Sequence, residues 1–178
     1  MSKRSRKSRD KEPRTSSPSV SPPAASDDAA PESRRAEVRA HLRVGWWALL
    51  VFLSLGIGLE ALHGFKADLY LNVENETRRL MWTLAHAHGV LLALVQIGFA
   101  ATVHLSPGWT GGTRALASRS LMAALVLMPL GFFLGGVIIY GGDPGLGVLL
   151  VPIGAVALFV GVLLTARGVG SDDDSDDA

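Results

Sequence analysis

The sequence predicts an all-α integral membrane protein: four transmembrane helices in an antiparallel up-down bundle, with disordered N- and C-terminal tails. Three observations carry this expectation. Four long stretches are apolar nearly all round, short links join them, and the charge lies outside them. Residues 1–43 hold eleven of the seventeen Lys and Arg, and the last eight residues, SDDDSDDA, hold five of the sixteen acids. The net charge of +1 is therefore a cancellation of a basic head and an acidic tail, and it says little about partners. The chain has no cysteine, which excludes disulfides, thiolate nucleophiles, Cys-ligated clusters and covalent c-type haem attachment.

Residues 1–36 are rich in Ser, Pro, Ala and charge. They cannot bury enough apolar surface to offset the entropy of ordering, so they read as a disordered basic tail, with residues 36–43 beginning the first helix. The apolar stretches are 44–62, 80–103, 121–140 and 145–166. A helix needs about 20 mainly apolar residues to cross a ~30 Å hydrocarbon core, and each stretch reaches that range. Barrel strands would alternate, and a soluble bundle would show a polar face on each helix. Residues 168–178 read as a second disordered tail. The basic lead before the first span is too long for a signal peptide. Ser33-Arg34-Arg35 begins like a twin-arginine signal, but Glu37 stands where that motif wants a large apolar residue.

Residues 63–79, 104–120 and 141–144 are the links. The last, Gly141-Gly142-Asp143-Pro144, is a turn by composition and forces the final two helices into a hairpin. Gly131-x-x-x-Gly135 and Ala157-x-x-x-Gly161 are small-residue pairs of the kind that let helices approach in lipid. Pro129 and Pro152 are expected to kink spans three and four.

Lys and Arg counts set the orientation. With a cytoplasmic N-terminus, that side holds fourteen of them and the other side only Lys66, Arg78 and Arg79. Both termini are then cytoplasmic. Trp46, Trp47 and Trp109 fall at the inner interface, and Trp82 and Tyr140 at the outer one.

This threading gathers Glu60, His63, His86 and His88 in the outer half of the membrane. At ~1.5 Å per residue, Glu60 lies about 6 Å below Gly64, His86 roughly 9 Å below Leu80 and His88 roughly 12 Å below it. Ionisable residues inside spans are rare and tend to face the interior. Neutral imidazole ligates both metals and haem iron, so His63, His86 and His88 are candidate metal ligands, with Glu60 beside them. Haem b or a divalent metal is the cofactor such a layer would take, in a redox or proton-linked role. His86-Ala87-His88 near the start of a membrane helix resembles segments of haem-binding oxidase subunits, over three residues, which name no family. The alternative is that these residues only hydrogen-bond between helices, in a structural or accessory subunit. His86 and His88 project about 200° apart, so a regular helix cannot bring both to one ion. Gly89, with Gln96 two turns on, suggests a polar notch between them. His41 and His104 are expected to snorkel at the cytoplasmic interface.

Arg78 and Arg79 are expected to pair with Glu74 and Glu76; the sharper reading is an anion clamp at the mouth of the His layer. Asn75-Glu76-Thr77 matches a glycosylation sequon and reads better as the cap of the second span. The basic head serves orientation, and no specific nucleic acid is expected. The expected partners are the lipid bilayer and membrane proteins, including a second copy of the chain. No catalytic motif is present in the sequence.

Overall fold

The computed structural model describes residues 29–71, 76–109 and 111–173. Helix α1 spans Ala29–Gly64, the single turn α2 Asp68–Leu71, α3 Glu76–Leu105, α4 Gly112–Val137 and α5 Leu150–Asp173. Between α4 and α5 lie two short strands, β1 (Ile139–Tyr140) and β2 (Asp143–Pro144), and a 3₁₀ turn over Leu146–Leu149. Four helices are long and apolar enough to cross a membrane, as the hydropathy predicts. Helix α1 begins at Ala29, inside the stretch expected to be disordered. Glu32 sits in its first turn, where a carboxylate suits the helix dipole, and Glu37 one turn later has a partner on α4. At the other end, α5 runs to Asp173, into the acidic tail.

Helix α1 packs along α3, α3 along α4, and α4 along α5. Successive helices run antiparallel: His41 meets Gln96 and Gly56 meets His86, while Met128 meets Gly154 and Leu121 meets Gly161. The core lies on α3 and α4. Leu92, Ala124, Leu125 and Met128 form one cluster, and Phe99, Val103, Trp109, Ala117 and Leu121 the other. The outer helices leave large apolar side chains exposed, including Trp46, Trp47 and Ile57 on α1 and Ile153, Val156 and Phe159 on α5.

The α4–α5 contact follows the small residues. Added Cβ atoms at Gly131, Gly154 and Gly161 would meet Val151 at 2.9 Å, Met128 at 2.5 Å and Leu121 at 2.6 Å. The Gly141-Gly142 turn has φ of 58° and 93°, and it pairs Ile139 with Pro144 and Tyr140 with Asp143. Two positive φ values are what a two-residue hairpin of this hand requires, and glycine adopts them without strain. Pro129 lies inside α4, but Pro152 falls in the first turn of α5 rather than mid-helix. A missing N–H costs nothing there, because that N–H has no intrahelical partner.

Trp109 corrects the aromatic-belt expectation. It is 4% exposed, set edge-on to Phe99 at 5.9 Å and seated over Gly168. It is a core residue at this end of the helices.

Candidate functional site

The sequence-predicted residues divide between two faces of α3. His86 turns toward α1, where Gly56 leaves room for its ring, and its Nδ1 donates to the Phe52 carbonyl at 2.8 Å. His88 turns toward α4. Its Nδ1 donates to the Leu84 carbonyl on its own helix at 2.9 Å, and its ring lies 4.7 Å from that of Phe132. This is the divergence expected of residues two apart on a helix. Glu60, His63 and His86 line one open cavity of about 490 Å³ with Tyr70 and Thr83, whereas His88 does not reach it. Glu60 and His63 sit exposed on its rim. Among the described residues, no three His, Asp or Glu side chains come together as a metal group. A haem or a metal held by the whole outer layer thus has no support in this geometry.

The notch at Gly89 is filled. The Phe52 ring of α1 rests on it, so tightly that any Cβ there would collide with the ring. Arg78 is not part of a clamp. Its Nε donates to the Gly136 carbonyl at 3.0 Å and its Nη1 to Leu69 O at 3.2 Å, so it closes the last turn of α4 with a cation. Arg79 lies 3.6 Å from Glu76, an exposed pair of little energetic weight. Glu74 and Asn75 lie outside the described residues; Thr77 donates to the Gly142 carbonyl of the hairpin.

The most connected polar group is at the other end of the helices, and the sequence reading placed its central residue wrongly. His41 does not snorkel. It is 0% exposed, as is Gln96. Gln96 Nε2 donates to the Leu121 carbonyl at 2.8 Å, which turns Oε1 toward His41 Nδ1 at 2.6 Å. An amide oxygen only accepts, so Nδ1 carries the proton. His41 Nε2 then accepts from Ser118 Oγ at 2.7 Å. A neutral imidazole completes this chain from α4 through α1 and α3 and back to α4. One helical turn earlier on α1, Glu37 Oε2 accepts from Arg114 Nε at 2.8 Å, while Arg114 Nη1 donates to the Trp109 carbonyl at 3.0 Å. Both side chains of this ion pair are largely buried. No buried side-chain polar atom among the described residues lacks a partner.

Hydroxyl, imidazole and amide in sequence have the order of a nucleophile relay. The chemistry argues for a structural tie instead. Gln96 has no charge to stabilise an imidazolium, and its amide N–H is spent on Leu121. His41 has no exposed edge from which to exchange a proton with a substrate. By contrast His104 is exposed, as an interfacial residue would be.

Sequence reasoning singled out Gln96 but gave it no partner. The missing signal was register. The antiparallel pairing of α1 with α3 sets His41 beside Gln96, and that of α3 with α4 sets Gln96 beside the third turn of α4. No family model, no curated protein and no solved structure matches the chain.

Proposed function

We propose that the chain is a multi-pass protein of the cytoplasmic membrane, an up-down four-helix bundle with both termini cytoplasmic, which serves as a structural or accessory subunit. The observation that carries this reading is the fate of the intramembrane imidazoles. His41 and His86 spend ring nitrogens on neighbouring helices, and His88 spends one on the Leu84 carbonyl of its own helix. Polar residues used in the first way hold helices together. The exposed apolar faces of α1 and α5 suit lipid, and equally a membrane protein partner or a second copy.

A second reading rests on the open cavity that Glu60, His63 and His86 line. It assigns a proton-linked or cofactor-binding role to those three residues, without His88. One preparation separates the two. The detergent-purified protein is expected to be colourless, with metal well below one per chain, and His86→Ala should lose about 1 kcal/mol of stability, the scale of its bond to α1. A haem band, or one metal per chain that His86→Ala abolishes, would replace the accessory reading with the second one.

A further inference from the structure

An open cavity lies where the start of α1 crosses the start of α4. It holds about 600 Å³ and is lined by Pro31, Arg34, Glu37, Arg114, Ser118 and Arg119, among others. Three guanidinium groups and one carboxylate face a single space. Their partners are unevenly distributed. Arg114 is committed to Glu37 and to the Trp109 carbonyl, so that pair contributes almost no net charge. Ser118 gives its proton to His41. Arg34, half-buried, and Arg119, exposed, make no hydrogen bond or ion pair with any described residue. Two uncompensated cations thus face one cleft from two different helices.

We propose that this cleft binds a phosphate group, held between Arg34 of α1 and Arg119 of α4. A guanidinium offers a planar fork of N–H donors that matches two phosphate oxygens, and a pair of forks can take one anion from both sides. Bringing Arg34 and Arg119 to one cleft is unfavourable by like-charge repulsion unless an anion sits between them. The neutral Ser118–His41–Gln96 chain and the Glu37–Arg114 pair form a fixed wall against which the ligand rests. The volume falls in the usual range for small-molecule sites and exceeds what one phosphate needs. The remaining lining includes Pro31, Pro107 and Ala115, which suit the glycerol of a phospholipid headgroup. A lipid source rests on the proposed threading, which puts this end at the cytoplasmic leaflet; binding of the phosphate group itself does not.

The test uses the full chain in neutral-detergent micelles. Binding is measured for phosphatidylglycerol, for phosphatidylcholine and for inorganic phosphate, in the wild type, in Arg34→Gln/Arg119→Gln, and in Arg43→Gln/Arg167→Gln. The last pair removes the same charge from exposed positions outside the cleft. Because Arg34 and Arg119 make no hydrogen bond or ion pair with described residues, their replacement by Gln should leave the melting temperature nearly unchanged, which confirms that each variant is folded. The expected result is that phosphatidylglycerol binds the wild type and binds the cleft variant at least tenfold more weakly, while the control variant stays within twofold. Phosphatidylcholine should bind more weakly than phosphatidylglycerol throughout. If inorganic phosphate shows the same tenfold loss and displaces the lipid, the site stands and its source is the free anion. Equal losses in the cleft and control variants would overturn the proposal, since only diffuse charge would then be at work; so would no loss in either. Failure of the threading would leave the inorganic phosphate arm intact, so the two readings fail separately.

Discussion

At the scale of single residues, His41 and Gln96 show how much burial changes the weight of a hydrogen bond. Each is fully enclosed, and each satisfies the other. Replacing Gln96 with Leu leaves the buried His41 N–H without its acceptor, while the Leu121 carbonyl keeps its bond within α4; an unpaired buried polar group costs ~1–3 kcal/mol. Gln96→Leu should therefore lower stability in detergent by about that amount, and His41→Ala by at least as much, because it also opens a space beside Phe99. The double replacement should cost less than the two single losses together, since both break the same bond. Exposed His104 is the control, and His104→Ala should leave the melting curve in place. A full loss at position 104, or strict additivity at 41 and 96, would contradict this account.

At the scale of elements, the helices end and meet where backbone geometry allows. Helix α1 stops in a left-handed turn at Lys66, φ 51°, with Lys66 N–H bonded to His63 O at 3.1 Å and Ala67 N–H to Leu62 O at 3.0 Å. This is the Schellman pattern, with lysine in the position that glycine usually holds. The left-handed conformation costs a residue with a Cβ about 1–2 kcal/mol. Lys66→Gly should recover part of this and, net of the added freedom of the unfolded glycine, raise stability by about 0.5–1 kcal/mol. Thermal melting of the pair of proteins reads it directly. The α4–α5 contact gives the opposite sign. Gly131→Leu must displace Val151 and Leu150 and should cost ~1–3 kcal/mol, whereas Gly98→Leu points into open space and should be neutral. The existence of these elements was legible in the sequence, because about 20 apolar residues in a row have few alternatives. So was the small-residue contact of the last two helices. The extent of α1 was not. Residues 29–36 carry no apolar signal, and Glu37, which pairs with Arg114 on α4, draws its hold on this stretch from a partner 77 positions away. Trp109 was misplaced for a similar reason: a tryptophan near a span end reads as interfacial until the helix that covers it is known.

At the scale of the whole molecule, the polar residues separate into two layers, and only one was legible. The grouping of Glu60, His63 and His86 on one cavity could be read from position along single helices, although His88, expected with them, turns to the other side. The inner layer of Glu37, His41, Gln96, Arg114 and Ser118 needs three helices in register at once. Orientation is the property that charge counts decide. A reporter active only outside the cytoplasm should work when fused after Ala67 and fail after Gly112 and after Ala178. Activity at the C-terminus would break the four-span threading.

The side-chain ties between α1 and α4, Glu37 to Arg114 and His41 to Ser118, stand one turn apart on α1. Beyond them the flank of α1 rests on α3, through Gly45, Phe52 and Gly56. Mechanically this makes α1 a lever held along residues 37–56, with residues 57–64 as its less constrained arm. Motion of that arm would change the width of the outer cavity while leaving the inner cleft unchanged. The chain has no native cysteine, so spin labels can be placed without removing any. Distances from Arg39→Cys to Leu116→Cys should be narrowly distributed, and those from Gly58→Cys to Val137→Cys broad. Equal widths would mean that α1 is clamped along its whole length.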